Sequence, residues 1–572
     1  MKRKNLSVLA IMMAVSLVMT ACGASDSNKE VTEQSEVQNV GNGDVENAST
    51  ESVKGDTENE NTEVVVVEDS TVAKAGDLSK YTDAVQIVLD DAGVTVNGEA
   101  AATSDENAVY VSNDIIYYED KDTYESGNTY GEGEDADKHS VEEAAAHTVV
   151  NITQSGTYQV TGVLSAGQIF VNVGEEETDK VTLILNGVDI TCEVAPAVLF
   201  YEVYECDEDA SEETATKDVD ITNAGAKVIL ADDSVNNVSG SYVAKIYKDN
   251  DEEKKLHKYD AAFYSKVSME ISGEEKGDGI LNITAENEGL GSEMHLTINS
   301  GNINIQSTDD GINTSEDYVS VCTINGGKLN VQASLGKEGD GIDSNGWLVI
   351  NGGTVMASSN PTSQDAGIDS DMGIYINGGA VIACGNMYDN VAEDSAANTM
   401  VLQFMDGSKG DLVVKDSNDT EVIAFACAAD YSNVVISSDA ITEGTYQVYN
   451  GETQLSHSGM MMGMGGGRPQ MPNGEMPEGG KLGEGEMPQM PEGSKFGEGE
   501  MPQMEEGERP QMPNGGKFTE GEAPQRPEND EVPAIAEGDK PQMPNGGLTE
   551  SGEKSTDFTV EKGVNFFGGV AE

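Results

Sequence analysis

The sequence predicts an all-β chain: a single-stranded right-handed parallel β-helix with a disordered N-terminal stalk and a low-complexity C-terminal tail. Three observations predict it. The phrase Ile-Asn-Gly/Ser-Gly begins at Ile298, Ile324, Ile350 and Ile376, a spacing of 26 residues each time, with an echo at Ile271-Ser272-Gly273 one residue off the beat. A short run of alternating apolar residues follows each copy, with Ile303, Leu329, Val355 and Val381 at the same offset. No helical pattern lies between the copies, and prolines are nearly absent from this region.

Alternation means strand, and a fixed period between 20 and 50 residues means a repeat architecture. One such repeat cannot bury its own apolar face, so successive repeats stack as coils, each strand pairing with its copy ~4.8 Å away. Ile298, Ile324, Ile350 and Ile376 then form one inward column, and Ile303, Leu329, Val355 and Val381 another. The glycine pairs turn the chain where φ must be positive or a side chain would clash. A right-handed crossover is the rule for parallel strands. A β-sandwich would need hairpins and would not keep a 26-residue register.

Residues 1–21 read as an export signal. Lys2, Arg3 and Lys4 precede an apolar stretch from Leu6 to Met19, too short to span a bilayer as a stable helix. Leu17-Val-Met-Thr-Ala21-Cys22-Gly23 resembles a bacterial lipobox, which implies lipidation at Cys22 and a membrane-anchored, extracellular lipoprotein. Residues 22–79, acidic and poor in aromatics, read as a disordered stalk.

The coils are expected across 80–456. Val85-Gln-Ile87-Val-Leu89, Val149-Val-Asn-Ile152, Gly156-Thr-Tyr158-Gln-Val160 and Val181-Thr-Leu183-Ile-Leu185 supply the first strands, and Val413 to Val448 the closing ones. Two acidic insertions interrupt them, near 119–143 and 205–218, and the second reads as a solvated loop at a coil corner. Residues 457–572 read as a Met/Pro/Gly/Glu-rich disordered tail, which holds every proline except Pro196 and Pro361.

With 32 Lys and Arg against 104 Asp and Glu, the net charge is −72. Such a surface excludes nucleic acid and anionic headgroups as partners. There is no dinucleotide fingerprint, P-loop or C-x-x-C. Cys322 and Cys384 lie in apolar runs and read as buried thiols rather than parts of a disulfide framework. The single tryptophan, Trp347, suits either a sugar platform or the core beside Leu348.

A second motif recurs in the same coils: Asn287-Glu288-Gly289-Leu290, Asp309-Asp310-Gly311-Ile312-Asn313-Thr314, Gly339-Asp340-Gly341-Ile342-Asp343-Ser344 and Asp365-Ala366-Gly367-Ile368-Asp369-Ser370-Asp371. With the Leu/Ile facing inward, Asn313, Asp343 and Asp369 share one outward column, and Ser315, Asn345 and Asp371 the next. Parity does not aim Asp310 and Asp340, because they lie at a turn. Stacked carboxylates repel one another, and oxygen donors at this density suit Ca²⁺, which takes about 6–8 oxygens. The metal candidates are Asp309, Asp310, Asp340, Asp343, Asp365, Asp369 and Asp371. The alternative is that these residues cap turns through Asx-type bonds.

Several motifs in order, Ile152-Thr-Gln-Ser-Gly156-Thr-Tyr158, Asp179-Lys-Val181 to Gly187, Asp260-Ala-Ala-Phe-Tyr-Ser265, the Asp-Gly-Ile-Asp-Ser and Ile-Asn-Gly-Gly coils and Asp430-Tyr-Ser-Asn-Val-Val-Ile-Ser-Ser438, resemble a family of bacterial surface carbohydrate-binding proteins. That family is a pectate-lyase-like right-handed β-helix that binds calcium, cellulose and polygalacturonate. The resemblance implies Ca²⁺ at Asp309, Asp310, Asp340, Asp343, Asp365 and Asp369, and a plant cell-wall polysaccharide as partner. Three functions follow as expectations. The first is a non-catalytic lipoprotein binding acidic polysaccharide through calcium. The second is a calcium-dependent pectate lyase with Lys266 or Lys337 as base, since arginine is absent from 4–467. The third is a structural or adhesive surface protein.

Overall fold

The computed structural model describes residues 72–117, 139–249, 252–459 and 554–572. The predicted signal segment, the Cys22 lipidation site, most of the stalk, most of the first insertion and most of the Met/Pro/Gly tail lie outside the described residues.

The described chain is nearly all β, with one short helix, Val141–Ala145, closed by a Ser140–Glu143 capping box. Three parallel ladders organise its middle. The first stacks Val181–Thr191, Ala226–Leu230, Met269–Gly273, Leu296–Ile298, Val321–Ile324, Trp347–Ile350 and Gly373–Ile376. The second stacks Val235–Gly240, Ile280–Ala285, Asn302–Gln306, Lys328–Gln332, Thr354–Ser358 and Ala380–Gly385. The third stacks Thr148–Ile152, Gly167–Asn172, Val198–Glu202, Ala261–Ser265, Glu288–Ser292, Ile312–Thr314 and Ile342–Ser344.

Sequence period becomes spatial register here. Ile271, Ile298, Ile324, Ile350 and Ile376 are direct partners, and so are Ile303, Leu329, Val355 and Val381. All nine are buried in one core cluster. The turn glycines Gly301, Gly327, Gly353 and Gly379 have φ of 106°, 87°, 82° and 84°. A Cβ on Gly327 would also sit 2.6 Å from the Gly301 carbonyl oxygen. Truncating one rung of a column leaves a cavity that neighbouring coils cannot close. Ile324→Ala is therefore expected to cost about 2–5 kcal/mol, read as a fall in the denaturation midpoint with an unchanged slope.

The expectation of a single parallel β-helix over 80–456 needs correction. Antiparallel strands flank the ladders at both ends. Val85–Leu89, Thr95–Val96 and Glu99–Ala100 form an antiparallel meander, and Val109–Ser112 runs antiparallel to Thr148–Ile152. After Gly385 two 18-residue strands, Thr399–Asp416 and Glu421–Ser438, pair antiparallel, and the second covers Ala380–Gly385. Apolar alternation marks a strand but does not state the direction of its partner. Antiparallel cover at the last coil also protects an edge that would otherwise recruit other chains.

The domain limits shift for similar reasons. Lys74, inside the predicted stalk, exchanges two backbone hydrogen bonds with Val235 at 3.0 and 2.8 Å, and the Gly76 N–H donates to Asn186 Oδ1 at 2.6 Å. At the other end Phe558–Val560 and Val564–Val570, within the predicted tail, pair with Gly444–Asn450 and Thr399–Asp416. Phe558, Val560, Phe567 and Val570 are buried in a second core with Met400, Leu402, Val434 and Ile436. Apolar side chains separated by a long proline-rich tract thus join the core of the closing sheet. Cys384 is not a free thiol: it is joined to Cys427 in a disulfide, while Cys192 and Cys322 are free and buried. The second insertion is largely exposed, as a solvated loop is, but its first residues are docked. The Glu205 carboxylate accepts from the Ser268 hydroxyl at 2.8 Å, and Asp207 meets His295 at 3.2 Å.

Candidate metal centre

The third ladder positions the acidic motif. Ile312 and Ile342 pair directly, Ile342 bridges to Ile368, and all three are buried. The next residue on each coil faces away from that core, which places Asn313 beside Asp343. The Asp369 N–H donates to the Ile342 carbonyl at 2.8 Å and sets Asp369 on the coil beyond.

The turn residues that parity does not aim are placed by backbone capping. Asp310 Oδ1 accepts the Asp340 N–H at 2.7 Å, and Asp340 Oδ1 accepts the Ala366 N–H at 2.6 Å. Each aspartate thus uses one oxygen to hold the next coil. Asp340, Asp343 and Asp369 each present a carboxylate oxygen within 4.8 Å of the other two. Among the described residues no other group of three or more acidic, His or Cys side chains is gathered this way.

Burial and mutual repulsion push these carboxyls up. Asp343 is raised to about 7, chiefly by burial and then by Asp369 and Asp371. Asp340 is raised to about 8, by burial and then Asp369. Asp310, one coil earlier, and Glu288, two coils earlier, are both held well above the usual carboxylate range, first by burial. The Asn313 amide donates to Glu288 Oε1 at 2.9 Å and to Asp310 Oδ2 at 3.4 Å. Glu288 Oε2 and Asn313 Oδ1 are buried and make no hydrogen bond. Buried oxygens of this kind, without a donor, cost free energy that a cation relieves. The donor set is oxygen only, as a hard divalent cation requires. The residues therefore fit calcium.

The other sequence candidates divide. Asp365 accepts the Gly339 N–H at 2.7 Å and a bond from Ser363 Oγ, a turn-capping role. Asp309 is half-buried and raised by burial, Glu338 and Asp365. Asp371 is exposed, with its N–H donating to the Ser344 carbonyl at 3.0 Å. Asp389 was not among the candidates, yet its carboxyl is pushed to about 7 by burial and then Asp369. It lies outside the 26-residue repeat, and no local pattern marks it. Glu288 sits at the Asp310 position of the motif one coil earlier, so the motif alignment contains its signal.

Lys266 Nζ is 4.6 Å from the Tyr201 ring centroid and 5.9 Å from that of Tyr259. Lys337 is exposed, and its carbonyl accepts from Thr362 Oγ1 at 3.3 Å. Trp347 is half-buried against Val321, Val349, Tyr375 and Ala392.

None of the curated proteins matches this chain. Among solved structures, a polysaccharide lyase-like protein from C. thermocellum, determined as a gadolinium derivative, is similar at 20% identity and a TM-score of 0.31. That match covers 52% of this chain and 89% of the other. A family described as carbohydrate-binding domain-containing protein matches residues 146–214 and 210–458, more than half of the sequence and all three ladders. The chain belongs to that family of carbohydrate-binding domain-containing proteins.

Proposed function

We propose that this protein is a non-catalytic lipoprotein of the bacterial surface that binds acidic, polygalacturonate-like polysaccharide through calcium. In this reading the three ladders are the faces of a right-handed, pectate-lyase-like β-helix. Cys22 carries the lipid anchor. The observation that carries the proposal is the convergence of Asp340, Asp343 and Asp369 within 4.8 Å on one ladder of a carbohydrate-binding chain. Asp340 and Asp343 are the primary ligands, Asp369 closes the set, and Asp389 and Glu288 add negative charge around it. When bound, calcium supplies a positive centre that a uronate carboxylate can share, which reconciles a polyanionic ligand with a net charge of −72.

Binding rather than bond cleavage is favoured by the surroundings of Lys266. A base that abstracts a proton must reach the sugar beside the metal, whereas the Lys266 ammonium lies over two tyrosine rings.

The test mixes the full chain with insoluble polygalacturonate in calcium or in chelator and follows absorbance of unsaturated uronate in the same tubes. Retention only with calcium, a flat absorbance and loss of retention in Asp369→Ala are expected. A steady absorbance rise would make it a lyase. Equal retention in chelator would remove the metal from the binding step.

A further inference from the structure

Residues 554–572 are seated on the closing sheet, and residues 460–553 separate them in sequence from the strands that hold them. Phe558–Val560 runs antiparallel to Gly444–Asn450, and Val564–Val570 runs parallel to Thr399–Asp416. Ser456 bridges to Ala571 and His457 to Ser555, so the segment is held beside the point where the chain leaves the described fold. The His457 ring centroid lies 4.7 Å from that of Phe558 and 5.1 Å from that of Phe567. Asn398 Oδ1 accepts the Gly563 N–H at 3.0 Å.

This strand pairing, apolar burial and hydrogen bonding is the same whichever chain supplies the segment. Without it, residues 399–404 and 444–446 would lose a strand partner. The second core would open where Phe558, Val560, Phe567 and Val570 are now buried. An unfilled apolar edge of this kind recruits strands.

We propose that the C-terminal segment is an exchangeable clasp, which seats on the closing sheet of a second copy of this chain as well as on its own. Reciprocal exchange keeps every contact of the single chain, so only the entropy of bringing two chains together opposes it. The tether of residues 460–553 reaches on the order of 300 Å at full extension. It holds its segment at an effective concentration no higher than about the millimolar range. A neighbour therefore competes once chains are crowded to that level. Charge permits this contact where it opposes others. Chains of net charge −72 repel one another face to face, whereas residues 554–572 carry two lysines against three acidic residues. The tether also spans far more than the Debye length of about 10 Å at 0.1 M salt, so two joined bodies need not approach. The clasp involves neither the acidic triad nor calcium and stands apart from the reading above.

The experiment uses two full-length variants, Thr445→Cys and Thr559→Cys. These residues are direct strand partners, with hydroxyl oxygens 3.5 Å apart. Each variant carries one half of the pair, so a disulfide between positions 445 and 559 forms only between chains. The two are unfolded together, refolded as a mixture at ~10 µM and at ~300 µM, below the effective concentration of the tether, oxidised and digested. Mass spectrometry of the linked peptide is expected to show the 445–559 disulfide, with a yield that rises with concentration. Ser104→Cys, in an exposed turn before Val109–Ser112, mixed with Thr559→Cys sets the collisional background. The double variant Thr445→Cys/Thr559→Cys shows that the fold and the pairing have formed. A mixture yield no higher than the background would overturn the proposal, and so would a double variant without the link, since the segment would then not be seated at all. Either failure leaves the acidic-site reading standing.

Discussion

Calcium is expected to reverse the way stability depends on pH. In chelator, the folded protein holds Asp340 near 8 and Asp343 and Asp389 near 7, whereas an unfolded aspartate titrates near ~3.9. Between about pH 4 and pH 8 the folded state therefore binds protons that the unfolded state has released. A raised carboxylate pKa makes stability fall as pH rises through that window and level off above it. At about 1.4 kcal/mol per pKa unit, one such group costs on the order of 4 kcal/mol at pH 8. The three share the same repulsion, so their costs do not simply add.

Calcium requires the ionised carboxylates and competes with protons for them. Added calcium should raise the melting temperature strongly at pH 8 and hardly at pH 5. In chelator the protein should melt higher at pH 5 than at pH 8. Calorimetric scans at the two pH values, with calcium and with chelator, decide the matter. Identical melting at pH 8 in calcium and in chelator would remove the cation from this site.

Asp343→Asn is expected to act in opposite directions on stability and on binding. Asparagine keeps the size and one oxygen of the side chain but removes a buried charge facing Asp369 and Asp371. In chelator at pH 8 the variant should be more stable than the wild type, by about 1–3 kcal/mol. It should also lose most of the stabilisation by calcium, and retention on polygalacturonate should fall at least about tenfold, because a hard cation site loses a charged ligand. If Asp343 only capped a turn, Asn would replace it with little change in either quantity. Urea denaturation and glycan retention on one preparation separate the two roles, and a variant that is less stable in chelator would rule out stored repulsion.

The repeat made much of this architecture legible. Ile298 and Ile324 pair directly because a constant period leaves a stacked strand one register that buries every isoleucine. The same logic put Asn313, Asp343 and Asp369 on one outward face. It could not aim Asp310 and Asp340, since side-chain parity belongs to extended backbone and these residues lie at a turn. Their orientation comes from capping the N–H groups of Asp340 and Ala366. Asp389 was invisible to the period altogether.

The sequence by itself determined which residues face inward, where the glycines must turn the chain and which acidic motif recurs once per coil. These are local or strictly periodic properties, set by side-chain alternation, backbone sterics and burial of apolar columns. Tertiary structure alone decided the rest. It chose antiparallel partners for Thr399–Asp416 and Glu421–Ser438, brought Phe558 and Phe567 into the closing core and seated the insertion around Val219 against the first ladder. It also drew Asp340, Asp343 and Asp369 within ligand distance of one another. Each of these depends on which surfaces meet across long loops. The free energy of such meetings comes from the area buried and the charges brought together, and neither quantity is written in any short stretch of the chain.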